Sequence, residues 1–334
     1  MKILFLSETT QCDDRFLYLK ALVEALADND YEPTIIFTTS GAPSDHTYQL
    51  VKKHVVHHLS KLSFESENGD YLGKLVRHIE KHEYDFLVVS QERFPGFSVT
   101  GLFSLLQHKP RLVYLGADCS DKVTQDCRLL APLEPVFVAV SQMVAERFMS
   151  DYEVQIIHGP AIAPDTLGVD IRAEFGIPKN TKLLGYIGNV DHAILDVVIE
   201  ACKRMRCGLL VAGVGDTVAA LDAMGGPVKV VPALPQCRGD WYHAVDVFLY
   251  PVKWSGFPML PLEAAMCGKP VAMTPVSDLP RMAGERFGFF VRDASSVVNA
   301  VKTAVMGDVA SNKAWVAETF SREQFLTKWQ IVFG

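Results

Sequence analysis

Short apolar runs alternate with segments of helical period along most of the chain. In the first half the apolar runs predict strands over Ile3–Leu6, Thr34–Phe37, Phe86–Val89, Leu112–Leu115, Val136–Val140 and Val154–Ile157. The segments between them, such as Arg15–Ala27 and Asp70–Lys81, have the apolar spacing of helices. This alternation is typical of a parallel sheet covered by helices on both faces.

A second series of the same kind follows near residue 181. Its predicted strands are Lys182–Ile187, Leu209–Ala212, Val228–Val231, Val247–Pro251 and Pro270–Thr274, with helices over Ala193–Arg206 and Thr217–Met224. Residues 158–180 between the two series are rich in Gly and Pro and have no sustained apolar period, as expected of a connection between domains. The pattern therefore predicts two Rossmann-like α/β domains, which bind ligands at the carboxyl ends of their strands.

The charge is concentrated in the first half of the chain. Residues 1–160 hold 15 Lys and Arg against 22 Asp and Glu, which gives the whole net charge of −7. Such a balance does not favour nucleic acid as a partner. No apolar run reaches the ~18 residues of a membrane span. The seven cysteines show no C-x-x-C spacing, so we expect a cytoplasmic protein with reduced thiols.

One stretch of the second series contains groups that could bind a ligand. We expect a loop over Trp254–Leu260 and a helix over Pro261–Cys267, because proline suits the first helical position. The residue before the proline has no side chain that can cap the helix. The amides of Leu262, Glu263 and Ala264 are therefore predicted to face an anion. The Glu263 carboxylate in that turn can accept hydrogen bonds from both hydroxyls of a ribose.

The run SGFPMLPLEAAMCGKPV, residues 255–271, resembles the donor-binding motif of the retaining GT-B glycosyltransferases of family 4, the glycosyl transferases group 1. In that family a Glu, a Gly-Phe-Gly-Leu-Pro-Pro-Leu run and a second Glu precede Ala-Met-Ala-Cys-Gly-Thr-Pro-Val. The resemblance implies a GT-B fold, in which two Rossmann-like parallel-sheet domains face a central cleft. The implied parts are an acceptor-side domain over 1–160, a linker over 161–180, a donor-binding domain over 181–320, and a helix over 321–334 that returns to the first domain.

The activity implied by the resemblance is transfer of a sugar from a nucleotide diphosphate sugar, a UDP- or GDP-sugar, to an acceptor hydroxyl. The anomeric configuration is retained by front-face substitution, and neither a metal nor a cofactor is expected. The acceptor stays open among a glycan, a lipid-linked sugar, a protein, a small molecule and a modified nucleobase.

The same resemblance implies roles for individual residues. The donor-binding candidates are Ser255, Gly256, Phe257, Met259, Leu262 and Glu263 of the motif, Gly188 and Asn189 of a glycine turn, Gly213 and the Pro232-Ala233-Leu234 turn near the base, and Arg15. Glu92, Arg93 and Lys253 are the catalytic candidates. Among these, Lys253 and Arg15 would neutralise the diphosphate, whereas Glu92 and Arg93 would line the acceptor side.

Four departures from the family pattern leave other functions open. A glycine-rich loop is replaced by residues 8–13, and the position of a common His is occupied by residues 90–93. No Arg and Lys pair follows Gly188, and Ser255 stands where the motif has its first Glu. A catalytically weak or inactive GT-B protein that binds a nucleotide sugar or a partner is one alternative. A nucleotide-sugar epimerase is another.

Overall fold

The chain divides into two compact units, each built on a parallel sheet. The computed structural model describes residues 1–7, 14–37, 71–94, 97–215, 217–224, 226–232 and 238–334. Unit 1 comprises Met1–Gly159 and Glu323–Gly334, and unit 2 comprises Pro160–Arg322. The predicted class, two parallel-sheet α/β domains of the GT-B type, is confirmed.

The described residues of unit 1 form a six-stranded parallel sheet and a small hairpin. The strands are β1 (Lys2–Ser7), β2 (Glu32–Phe37), β3 (Phe86–Val89), β4 (Arg93–Phe94), β5 (Phe97–Ser98), β6 (Arg111–Gly116), β7 (Val136–Ala139) and β8 (Val154–Ile156). The helices are α1 (Asp14–Ala27), α2 (Tyr71–His82), α3 (Val99–Leu105), α4 (Asp121–Leu130) and α5 (Gln142–Phe148). The sheet order is β2-β1-β3-β6-β7-β8, while β4 and β5 pair with each other.

The described residues of unit 2 form a second six-stranded parallel sheet. Its strands are β9 (Leu183–Asn189), β10 (Gly208–Val214), β11 (Val228–Pro232), β12 (Val247–Tyr250), β13 (Val271–Met273) and β14 (Gly288–Phe289). Its helices are α6 (Ile171–Glu174), α7 (Leu195–Met205), α8 (Val218–Met224), α9 (Arg238–Ala244), α10 (Met259–Met266), α11 (Leu279–Ala283), α12 (Ala294–Met306) and α13 (Val309–Thr319). The sheet order is β11-β10-β9-β12-β13-β14, so the order reverses between β9 and β12. Ligands of doubly wound sheets bind outside the carboxyl ends of the strands at such a reversal.

The central strands are buried on both faces, and this is why their positions can be predicted from the sequence. All four residues of β3 and of β12 are buried. Because helices cover both faces of a parallel sheet, its strands are continuous apolar runs, and each predicted strand agrees with an observed one within about two residues. Among the helices of the described residues, none is long and apolar enough to cross a membrane.

The segment that links the two strand series is fastened to α9. The Asp240 carboxylate accepts hydrogen bonds from the backbone amides of Leu167 (2.7 Å) and Gly168 (3.0 Å). Arg172, on α6, donates from Nε to the carbonyl oxygen of Ala244 at the end of α9 (2.7 Å). These contacts, all within unit 2, place part of the predicted linker on the surface of α9.

The last helix, α14 (Arg322–Phe333), packs its apolar side chains into unit 1 from Glu323 onwards. Trp329 is fully buried, and its indole Nε1 lies 3.3 Å from the hydroxyl of Tyr18. That hydroxyl donates in turn to the carbonyl oxygen of Ile157 (2.8 Å). The Phe333 ring meets Phe86 of β3 edge-on, with centroids 4.9 Å apart.

Replacing Trp329 with Ala should strongly destabilise unit 1. The substitution leaves a cavity beside Tyr18, so the free energy of unfolding should fall by about 3–5 kcal/mol in urea titrations. Ile331 lies on the same helix with 67% of its surface exposed, and Ile331→Ala should change the same quantity by about 0.5 kcal/mol or less. Equal losses for the two variants would contradict this packing.

Candidate functional site

Three of the predicted donor-binding residues lie in one row at the carboxyl edge of the unit 2 sheet. Gly188 of β9 is paired with Gly213 of β10, and Gly213 is paired with Pro232 of β11. An added Cβ at Gly213 would lie 2.6 Å from a methyl carbon of Val190, so this position has no room for a larger residue. Ala233 and Leu234, which were expected to continue this border, lie outside the described residues.

The turn after β9 is held by its own side chains. The Tyr186 hydroxyl donates to the carbonyl oxygen of Asn189 (2.8 Å), and the Asn189 side chain accepts from the amide of Asp191 (2.9 Å). The Asp191 carboxylate accepts from the amide of Thr217, just before α8 (3.2 Å). A negative group therefore occupies the turn where the family pattern would supply a positive pair, and a diphosphate at this edge needs cations from elsewhere.

The loop after β12 is fixed by two hydroxyl groups from the segment that follows β13. Thr274 Oγ1 lies 2.6 Å from the carbonyl oxygen of Val252, and Ser277 Oγ donates to that of Gly256 (2.8 Å). Most motif side chains are buried, namely those of Ser255, Phe257, Met259 and Leu262. Lys253 is exposed on the same loop. A ligand at this loop would meet backbone and Lys253 more readily than the apolar side chains.

The helix of the motif begins earlier than the sequence predicts. α10 starts at Met259, and Pro258 takes the N-cap position without a capping hydrogen bond from its side chain. Pro261 is the third helical residue, so the predicted boundary is wrong by two residues. Proline is tolerated anywhere in the first turn, because the amides there have no acceptor within the helix.

This earlier start changes which amides face the helix entrance. Leu262, Glu263 and Ala264 are the fourth to sixth residues of α10, where an amide bonds to the carbonyl four residues before it. The prediction that these three amides face an anion is therefore wrong. Two of the four amide positions at the helix start are prolines, so Met259 and Leu260 provide the N–H groups of the first turn.

The Glu263 carboxylate is bound by a buried arginine. Arg238, the first residue of α9, donates from Nε to Oε2 (2.7 Å) and from Nη2 to Oε1 (2.8 Å). Only 8% of the Arg238 side chain and 7% of the Glu263 side chain are exposed. The Tyr242 hydroxyl lies 3.2 Å from Oε2. Glu263 thus has a partner for each oxygen in this structure, and its predicted role on a ribose stays a prediction.

The surroundings of the pair favour a neutral Tyr242. Burial, and then the Glu263 charge, raise the pKa of Tyr242 well above its ordinary value, so the phenol keeps its proton and can donate it. Burial and the same carboxylate raise the pKa of the Cys267 thiol to about 11, so the thiol is protonated at neutral pH. A bidentate arginine is the arrangement that best compensates a desolvated carboxylate.

Sequence reasoning missed Arg238 and Tyr242. Both come from α9, and Arg238 lies 25 residues before its partner in the chain. An arginine at the start of a short helix is common, and only the packing of α9 on α10 brings it to Glu263. The one signal available was the strongly apolar setting of Glu263 between Leu262 and Ala264, which calls for a buried partner.

The remaining predicted residues belong to unit 1. Glu92 is 2% exposed, and its Oε1 accepts a hydrogen bond from Thr100 Oγ1 (2.7 Å). The Arg93 side chain is 79% exposed, with Nε 3.5 Å from Oε2 of Glu92. Arg15 is exposed on α1. The side chains of Glu92 and Arg93 thus form an ion pair. Their catalytic role stays a prediction.

Breaking the Arg238–Glu263 pair from one side should cost more stability than removing it entirely. Arg238→Met leaves a buried carboxylate without its cation, so unit 2 should lose about 3–5 kcal/mol of unfolding free energy in urea titrations. The double variant Arg238→Met/Glu263→Leu should recover most of that loss. Lys253→Met is the exposed control, with an expected change of about 0.5 kcal/mol. A single-variant loss no larger than the control would argue against a structural role for the pair.

Comparison with known proteins connects the second unit to one family. Residues 181–306 match the family model described as "Glycosyl transferases group 1". A D-inositol 3-phosphate glycosyltransferase of Streptosporangium roseum is 31% identical over 130 residues, which are 32% of this chain and 30% of that protein. The lipopolysaccharide core biosynthesis mannosyltransferase LpsB of Rhizobium meliloti is 39% identical over 74 residues, 21% of each chain. The matches thus span a third or less of these curated relatives.

A solved structure extends the likeness to the whole fold. Anabaena HepE in complex with UDP and glucose superimposes with a TM-score of 0.72 at 15% identity, covering 99% of this chain and 98% of that one. At this identity the likeness shows a shared fold. Over residues 181–306 the chain also has the sequence pattern of the glycosyl transferases group 1 family.

Proposed function

We propose that this chain is a retaining glycosyltransferase that moves a sugar from a nucleotide diphosphate sugar to an acceptor hydroxyl. The observation that carries the proposal is the match of residues 181–306 to the glycosyl transferases group 1 model. That match begins just before β9 and includes the glycine row, the loop after β12 and α10. Two features agree with it: HepE, which shares the fold, is described with UDP and glucose, and the sequence relatives are named as transferases.

The proposed reaction needs no protein nucleophile. The acceptor hydroxyl attacks the anomeric carbon from the side of the leaving group, the bond to the diphosphate breaks, and the diphosphate takes the hydroxyl proton. The protein then contributes by holding the two substrates together and by stabilising the charge of the leaving diphosphate. We propose Lys253 and Arg15 as cations for that charge, without a metal ion.

The Arg238–Glu263 pair adds a step to this proposal. A ribose diol and a guanidinium each donate one hydrogen bond to each carboxylate oxygen, so they compete for the same positions on Glu263. Donor binding would therefore displace Arg238. The released guanidinium is suited to bidentate contacts with phosphate oxygens. This exchange would weaken the apparent donor affinity, because part of the binding free energy is spent on separating the pair.

Specific observations favour a second candidate, a GT-B protein that binds a nucleotide sugar without transferring it. Glu263 is already paired, Asp191 stands in the glycine turn, and Ser255 replaces the first Glu of the motif. Each of these features weakens contacts with the donor, so turnover and binding must be measured separately.

A panel of UDP-, GDP- and ADP-sugars should identify at least one donor from which the protein releases the nucleotide. Nucleotide release with the anomeric configuration retained, unchanged by EDTA, is the expected result. Saturable binding without release would support the second candidate instead. Conversion of the sugar with the nucleotide still attached would indicate epimerisation and overturn the proposal.

Glu263→Gln should raise the donor KM by roughly tenfold to a hundredfold, because an amide oxygen and an NH₂ group cannot accept from both ribose hydroxyls. Glu285→Gln, an exposed substitution of the same kind in unit 2, should leave the donor KM unchanged. Thermal unfolding of both variants shows whether the fold is intact. If Glu263→Gln lowers the melting temperature but leaves the donor KM unaltered, the carboxylate is structural and does not bind the ribose.

A further inference from the structure

Two cysteines meet where α7 ends and β10 begins. Cys202 lies on the last turn of α7, and Cys207 directly precedes the first residue of β10. Cys202 is fully buried, whereas 9% of Cys207 is exposed. Gly208 of β10 is paired with Leu183 at the start of β9. Both thiols therefore lie at the amino edge of the unit 2 sheet, opposite the edge that carries the candidate ligand site.

The end of α7 has the backbone geometry of a Schellman cap. Arg206 has a left-handed conformation, with a φ of 52°. Its amide donates to the carbonyl oxygen of Lys203 (3.3 Å), and the amide of Cys207 donates to that of Cys202 (3.1 Å). In such a cap the side chains of the two residues that the outer hydrogen bond joins often contact each other. The backbone thus brings Cys202 and Cys207 into direct contact, as a disulfide between them requires.

The two thiols share a hydrogen bond, which makes them unequal. It raises the pKa of Cys202, as burial also does. The same hydrogen bond lowers the pKa of Cys207 more than burial raises it, and the nearby Lys182 charge lowers it further. Cys207 is therefore the member of the pair that forms a thiolate, while Cys202 keeps its proton.

This environment separates Cys207 from the other thiols. Among the five cysteines that the structure describes, only Cys207 has a lowered pKa. Burial raises the pKa of Cys119 and of Cys127 to about 12, and that of Cys267 to about 11. Because the thiolate is the form that oxidants attack, Cys207 should be the most reactive of these five.

From this arrangement we infer that Cys207 and Cys202 form a reversible disulfide when the protein meets a peroxide. The Cys207 thiolate attacks one oxygen of hydrogen peroxide, the O–O bond breaks, and a sulfenic acid forms on Cys207 as hydroxide leaves. The Cys202 thiol then attacks the Cys207 sulfur. An S–S bond forms, and the sulfenic oxygen leaves as water with the Cys202 proton. The two sulfurs thus lose two electrons, which reduce the peroxide.

The pair is suited to this step by its position. Hydrogen peroxide is barely larger than water, so it can reach a partly exposed thiol. The second thiol is already in contact with the first, so the sulfenic acid is captured before further oxidation. Dithiothreitol restores both thiols by exchange. The inference does not depend on sugar transfer, because the site lies at the other edge of the sheet.

The test is a peptide map of the wild-type protein after treatment with hydrogen peroxide and alkylation of the remaining thiols. Trypsin cleaves after Lys203, Arg204 and Arg206, which all lie between the two cysteines. A disulfide should therefore hold two tryptic peptides together, and dithiothreitol should separate them. Cys127→Ala removes a buried thiol of unit 1 and should give the same linked peptides. Two cysteines that are still alkylated separately after peroxide treatment would overturn the inference.

Two further variants test the order of the steps with dimedone, which labels sulfenic acids. Cys202→Ala leaves the Cys207 sulfenic acid without a thiol to condense with, so Cys207 should carry the label. Cys207→Ala should leave Cys202 unlabelled, since its thiol is buried and protonated. A label on Cys202, or none on Cys207 in the first variant, would contradict the assigned roles. If a variant fails to fold, the wild-type peptide map still decides whether the disulfide forms.

Discussion

The buried ion pair between Arg238 and Glu263 constrains how α9 packs against α10 in the second unit. It joins the first residue of α9 to α10, the helix of the motif over residues 255–271. The other face of α9 holds the connecting segment through Asp240, whose carboxylate binds two backbone amides. One short helix therefore fixes both the motif and the segment that precedes β9. A buried pair of this kind adds little net stability, but it is costly to break from one side.

The pair also determines which charged groups of unit 2 are available to a ligand. The carboxyl edge of the unit 2 sheet offers backbone at Gly188 and Gly213, a negative charge at Asp191 and an exposed cation at Lys253. The most favourable extra positive group for a diphosphate is the guanidinium that Glu263 now holds. Arg238 and Glu263, which we propose contact a nucleotide sugar, are bound to each other, so donor binding would require the pair to separate.

The sequence was sufficient for most of the fold because the strands of a parallel sheet are continuous apolar runs. The strand over Phe86–Val89 has the predicted bounds. The start of α10 was misplaced because Pro258 and Pro261 are both compatible with a first turn, and local preference does not choose between them. Arg238 and Tyr242 were not identified, since their partners are fixed by tertiary packing and have no periodic signal.

The most direct test of this account is a crystal structure of the protein with the nucleoside diphosphate that it binds best. The account predicts that both oxygens of Glu263 accept hydrogen bonds from the ribose hydroxyls, and that the Arg238 guanidinium has moved from the carboxylate to the phosphates. A nucleotide bound with the Arg238–Glu263 pair still intact, and the ribose held by other residues, would contradict it.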